Sequence, residues 1–216
     1  RADDVHYPGT YLAGGYNRLV SKVDDHDIEN EDLVNLPNWL PLLIRIEGGA
    51  WLRPDGVDHL DYRQELDLKA GILSRVLRFR DVEGRVTRWE ERRIVSMHDP
   101  HLAALAVTLT PENWSGSMTL RSSIDATVIN WGVARYRALN GRHVETLDSR
   151  CEESDVLAIR ARMVQARREV AVAARNAVEM DGAPLQPART ETLADLAAQE
   201  FEVEAREGRP IPVEKI

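Results

Sequence analysis

Apolar and polar residues alternate along this chain in stretch after stretch. The clearest case places Leu105, Val107 and Leu109 on one parity, with Ala104, Ala106, Thr108 and Thr110 on the other. Side chains of an extended strand point to opposite faces in turn, so this rhythm predicts a strand with one buried face. The preceding run, Arg92 to Met97, predicts a second strand, joined to the first through the turn His98-Asp99-Pro100-His101. Proline fixes its own φ and pushes Asp99 toward an extended conformation, which suits a turn. Pro111-Glu112-Asn113 turns the chain again toward Trp114.

The same period recurs on both sides of this centre. Leu42, Ile44 and Ile46 share a face, and Leu60, Tyr62, Gln64, Leu66 and Leu68 oppose Asp61, Arg63, Glu65 and Asp67. Ile72 to Phe79 and Val86 to Met97 read as a hairpin closed by Asp81-Val82-Glu83-Gly84, with glycine where a left-handed residue is needed. Met118, Leu120 and Ile124 oppose Thr119, Arg121 and Asp125, and Phe201, Val203 and Ala205 oppose Glu202, Glu204 and Arg206. Val156 to Val178 is rich in helix formers, yet Leu157, Ile159, Ala161 and Met163 keep one parity, as do Val170, Val172 and Val178. A helix would scatter these groups around its circumference, so a pair of strands is expected. Thr190 to Gln199 is read as one or two short helical turns, and Val213 to Ile216 as part of a further strand. Asp24, Asp25, His26, Asp27 and Glu29 are read as a solvated acidic loop, and Leu36 to Pro41 as a stiff turn. Ten or more short strands with tight reversals predict an all-β fold, a large antiparallel β-sandwich of two packed sheets.

Composition narrows the function classes. The chain has 216 residues, 43% of them hydrophobic, which suffices for a packed core. Acidic residues outnumber basic ones by 36 to 28, and the resulting charge of -8 disfavours a nucleic-acid partner. The single Cys151 excludes a disulfide framework and suggests a reducing, cytoplasmic setting, and no apolar run is long enough for a membrane helix. Arg1-Ala2-Asp3-Asp4, without an initiator methionine, reads as the start of a piece of a longer polypeptide.

Catalytic signatures are scarce. The sequence has no phosphate-binding glycine loop and no nucleophile elbow, and Cys151 has no obvious base beside it. His98 and His101 straddle a proline turn, where loop hydrogen bonding is a better reading than metal ligation. Trp39, Trp51 and Trp89 read as core, and Trp114 as a cover for a sheet edge. The best contact candidates are Trp131, Arg135, Tyr136 and Arg137, in an extended loop from Asn130 to Asn140 that breaks the alternation. Aromatic and arginine side chains dominate interface hot spots, so a protein surface is the first reading there. A stacking platform of Trp131 and Tyr136, in an independent carbohydrate-binding sandwich, is the alternative. A third class, a sugar-anomer-interconverting enzyme, would need a His and Glu pair in one groove, for which only His143 and Glu145 are spaced.

Several short segments together resemble a known family. His6-Tyr7-Pro8-Gly9-Thr10-Tyr11, Gly15-Tyr16-Asn17 and Asn30 to Trp39 resemble the N-terminal domain of glycoside hydrolase family 65. So do Tyr62 to Leu68, Asp99 to Ala104, Glu112 to Gly116 and Gly132 to Tyr136, so the resemblance covers nearly the whole chain. The family contains trehalose, maltose and kojibiose phosphorylases and some trehalases. The resemblance implies a galactose-mutarotase-like super-sandwich over residues 1–216, truncated at both ends, belonging to a larger enzyme whose (α/α)6 catalytic barrel lies outside this chain. In such phosphorylases one glutamic acid of the barrel protonates the glycosidic oxygen while inorganic phosphate, the co-substrate, attacks from the opposite face. It follows that this chain should carry no catalytic residue, bind no metal or cofactor, and be inactive alone. Its implied partners are the C-terminal barrel of the same chain, an α-linked glucose disaccharide and a second copy in a homodimer.

Overall fold

The computed structural model describes residues 9–130, 139–152 and 156–216. Fifteen strands follow in chain order: β1 Tyr16–Val23, β2 His26–Leu33, β3 Leu42–Ile46, β4 Asp58–Asp67, β5 Ile72–Arg80, β6 Val86–Val95, β7 Ala103–Pro111, β8 Gly116–Asp125, β9 Val144–Cys151, β10 Val156–Met163, β11 Glu169–Met180, β12 Ala183–Pro184, β13 Arg189–Leu193, β14 Leu196–Ala205 and β15 Ile211–Lys215. One 3-10 turn, Pro54–Gly56, precedes β4, and no α-helix occurs among the described residues. The expected all-β, antiparallel sandwich is the observed fold.

The chain divides into two compact units. The first takes the described residues of Arg1–Pro41, Ser123–Ala173 and Glu191–Ala198, and the second Leu42–Ser122, Ala174–Thr190 and Gln199–Ile216. In the second unit the larger sheet runs in the order β4-β5-β6-β7-β15-β11. Its register lines up Phe79, Thr87, Pro111 and, two positions along, Leu77, Trp89, Leu109 and Ile211 on one face. Leu105, Val107, Leu109, Ile211, Val213 and Val178 are buried there, each no more than 3% exposed. β14, β8 and β3 form the opposing layer with Ile44, Ile46, Met118, Leu120, Phe201 and Val203, also buried. Polar links cross between the layers: Ser122 Oγ donates to Asn176 Oδ1 and Asn176 Nδ2 to Gln199 Oε1, both at 2.7 Å. Trp114 is buried rather than laid over an edge, and its Nε1 donates to Thr87 Oγ1 at 3.0 Å.

The β5–β6 reversal follows the expectation closely. Gly84 takes φ +83°, and Asp81 Oδ1 accepts from the Glu83 and Arg85 amides at 2.9 and 3.0 Å. The pairing of β9 with β10 and the strand β11 confirm that Val156 to Val178 is extended, with Leu157, Ile159, Ala161 and Met163 buried on one parity. In the first unit Val34, Leu36, Val144, Ala161 and Met163 form the core, with Val170 packed against them.

Two readings need correction. Thr190 to Gln199 holds no helical turn: β13 and β14 flank a two-residue turn at Ala194 and Asp195. Ala126 N donates to Asp195 O at 2.8 Å and Ala197 is fully buried, so tertiary pairing overrides the helix preference of Leu and Ala. The acidic stretch is solvent-exposed as expected but forms a hairpin rather than a loop, in which Asp24 and Asp25 take positive φ and His26 to Leu33 pair with β1. Most of β2 is solvent-exposed on both faces, so no alternation marks it in the sequence.

Lys215 is fully buried in the sheet, opposite Leu105 on one side and Asn176 on the other. Burial pushes its ammonium down from 10.5 to about 7. Between pH 7 and 10.5 the unfolded chain therefore holds a proton that the folded chain has released, and stability rises with pH across that window. Lys215→Met is expected to remove that slope and so to change stability at pH 7 differently from stability at pH 9. Urea denaturation at pH 7 and 9 measures both effects, and an unchanged slope in the variant would contradict the assignment.

Candidate functional site

Trp131, Arg135, Tyr136 and Arg137, the contact candidates of the sequence, lie outside the described residues. The residues on either side of them are tied together in the first unit. Asn130 N donates to Gly141 O at 2.8 Å, and Asn130 Nδ2 donates to Leu33 O at 2.8 Å. Asn130 Oδ1 accepts from Asn35 N at 2.8 Å, and the buried Asn35 donates in turn to Ile129 O at 3.1 Å. A Cβ at Gly141 would stand 2.2 Å from Asn130 O, so only glycine permits this close approach. Asparagine serves here because one side chain presents a donor pair and an acceptor on the same short stem.

The same unit holds the most buried histidine site. Asn17 sits on β1 with its side chain inward and is 1% exposed. Its Oδ1 accepts the Gln165 and Ala166 amides at 3.1 and 2.9 Å, which leaves Nδ2 as the donor to Arg18 O and to His143 Nδ1 at 3.1 Å. His143 Nδ1 is thus the acceptor and Nε2 carries the proton. Nε2 stands 3.3 Å from Asp32 Oδ2, an electrostatic contact whose angle falls short of a hydrogen bond. Burial pushes the His143 imidazole below its usual range, and Asp32 offsets this only in part. Beside it opens a cavity of about 350 Å³ lined by Tyr16, Asn17, Arg18, Glu31, Gln165 and Arg168. Glu145 does not join His143 there. It accepts from Arg162 Nε at 2.8 Å and lies 3.4 Å from Arg167 Nη1, so the spacing of His143 and Glu145 makes no acid-base pair.

His98 and His101 lie in an exposed turn held by Ser96 Oγ and Asp99 Oδ1, which accept the Asp99 and His101 amides at 2.9 Å. Among the described residues no group of three or more His, Cys, Asp or Glu is placed to hold a metal. Trp51 is half-buried under the Arg45 guanidinium, 4.7 Å from its ring centre, and Arg45 also lies 3.6 Å from Glu200. No helix among the described residues is long and apolar enough to cross a membrane.

The family model of the glycosyl hydrolase family 65 N-terminal domain matches residues 1–216. The chain belongs to this family. An uncharacterized glycosyl hydrolase of Mycobacterium tuberculosis, Rv2006, is 41% identical to it over 99% of the chain and 16% of that protein. A kojibiose phosphorylase of Caldanaerobacter subterraneus subsp. tengcongensis is 37% identical over 57% of the chain and 15% of its own length. A solved structure of a candidate kojibiose phosphorylase from the human microbiome shares the fold over 99% of this chain and 27% of its own, with TM-score 0.79 at 14% identity. This family 65 N-terminal domain therefore spans about one sixth of the length of the curated relatives it matches.

Because the depressed His143 stays neutral in the fold while an unfolded histidine protonates near pH 6.5, unfolding takes up a proton below that pH. Stability of the domain is expected to fall as pH drops from 6.5 toward 5, and His143→Gln is expected to flatten part of that loss. Thermal melts of both proteins at pH 7, 6 and 5 test it, and parallel melting curves would refute the role of this histidine.

Proposed function

We propose that this domain is a non-catalytic scaffold of an inverting α-glucoside phosphorylase or hydrolase. It supports an (α/α)6 barrel in the same polypeptide, which supplies the general acid and the phosphate site, and it contributes to a homodimer. The observation that carries this reading is the family match over all 216 residues together with its place as a sixth of far longer glycosidic enzymes. The chemistry agrees with it. Glycosidic cleavage needs a carboxylic acid aimed at the leaving oxygen, and a hydrolase needs a second carboxylate as base. The most buried acids described here are instead committed to arginines: Asp81 to Arg85 at 2.7 Å, Glu200 to Arg121 at 2.5 Å and Glu91 to Arg93 at 2.8 Å. The substrate class is an α-linked glucose disaccharide, the parent enzyme needs inorganic phosphate and no other cofactor, and the setting is cytoplasmic.

Incubated with phosphate and kojibiose, trehalose or maltose, the isolated domain is expected to release no glucose 1-phosphate, while the polypeptide that includes the barrel releases it from one of them. Turnover by the domain alone would overturn the scaffold reading. Calorimetric titration of the domain with the same disaccharides adds a second check: saturable binding lost in Trp131→Ala would favour an independent sugar-binding module.

A further inference from the structure

In the second unit, β3 and the segment after it face β5 and β6. Leu52 N donates to Ile44 O at 2.8 Å, so the chain folds back along β3 before it enters β4. Between these walls a cavity of about 160 Å³ remains, lined by Ile44, Leu52, Leu77, Phe79 and Trp89, with Arg53 and Arg75 as its charged members. The β5–β6 register sets Arg75 opposite Glu91, on the same face. Glu91 is 3% exposed in its side chain and meets three donors: Arg75 Nη2, Arg93 Nη2 at 2.8 Å and the Trp89 indole N–H at 3.3 Å.

One carboxylate thus balances one of two guanidiniums, and the spot keeps a positive charge on a chain whose net charge is -8. Both Glu91 oxygens are occupied, and the charged side chains on the cavity wall are Arg53 and Arg75. The side chains at the cavity therefore offer N–H donors and an apolar wall, and no free carboxylate to receive a hydroxyl. A neutral sugar, which needs acceptors as well as donors, fits this poorly. A phosphate or carboxylate matches the guanidinium fork, and an apolar body matches Leu77, Phe79 and Trp89.

We propose that this cavity binds a small organic anion, its phosphate or carboxylate on Arg75 and Arg53 and its apolar face against Trp89. Binding is a property of the domain itself, so it stands or falls independently of phosphorolysis. The test follows the ¹⁵N-indole signal of Trp89, assigned with Trp89→Phe, during titration with phenyl phosphate, benzoate, inorganic phosphate and glucose. The signal is expected to shift saturably with phenyl phosphate or benzoate, and which of the two acts identifies an apolar phosphate or an apolar carboxylate as the class. Arg53→Gln, at an exposed position, and Arg75→Gln are each expected to weaken binding about tenfold or more. If Arg75→Gln does not fold, Arg53→Gln decides. No shift with either organic anion, equal affinity in Arg53→Gln and the parent chain, or binding of glucose or inorganic phosphate as tight as that of the organic anions would overturn the proposal.

Discussion

The larger sheet of the second unit depends on backbone pairing supplied by the last strand of the chain. β15 lies between β7 and β11, so Ile211, Val213 and Lys215 are placed by residues about a hundred positions earlier and by residues thirty to forty positions earlier. A strand with neighbours on both sides has its N–H and C=O groups satisfied from both, and here its alternate side chains are almost completely buried. Removing it would expose two sheet edges at once, where unpaired backbone groups invite association with other strands. Such long-range closure requires loop-closure entropy to be lost before any pairing is gained. The sheet forms as a unit or not at all.

That closure also explains where the polar interior sits. Lys215, Asn176, Gln199 and Ser122 are contributed by β15, β11, β14 and β8 respectively, so each is carried by a different strand of the second unit. Asn176 links both layers, receiving from Ser122 and donating to Gln199. Hydrogen-bonded polar groups inside a sandwich add little net stability compared with apolar packing, but they reject alternative registers, because a one-residue slip would turn each of them to the opposite face and break its hydrogen bonds. Lys215 bears the larger cost, and its low proton affinity is the visible sign of it.

Much of this was legible in the period-two pattern. The parity of Leu105, Val107 and Leu109 reports their burial directly, and that of Leu157, Ile159, Ala161 and Met163 outweighs the helix preference of their neighbours. Where the pattern was silent, the reason is physical. β2 is exposed on both faces and so has no hydrophobic side to reveal. The Ala194-Asp195 turn is set by bonds from Ala126 and Thr146, which no local propensity encodes. The candidate sites were less legible still. Trp131, Arg135, Tyr136 and Arg137 stand outside the described residues, and His143 was paired in sequence with Glu145 although its fold partners, Asn17 and Asp32, lie more than a hundred positions away. Trp89 was read as core. It is half-buried and lines a cavity with Leu77, Phe79 and Ile44.

The buried acids are each tied to guanidinium donors. A general acid must keep a proton until the leaving oxygen needs it, which calls for a carboxyl in apolar surroundings or beside a second carboxylate. Asp81 accepts a guanidinium N–H and two backbone amides, Glu91 two guanidiniums and an indole, and Glu200 lies between Arg121 and Arg45. Each of these carboxylates is held by guanidinium, indole or amide donors from neighbouring positions, and these contacts tie the strands together. The buried histidine follows the same logic in reverse: its Nδ1 is spent on Asn17, and its Nε2 faces Asp32 from a position 1% exposed, out of reach of a sugar.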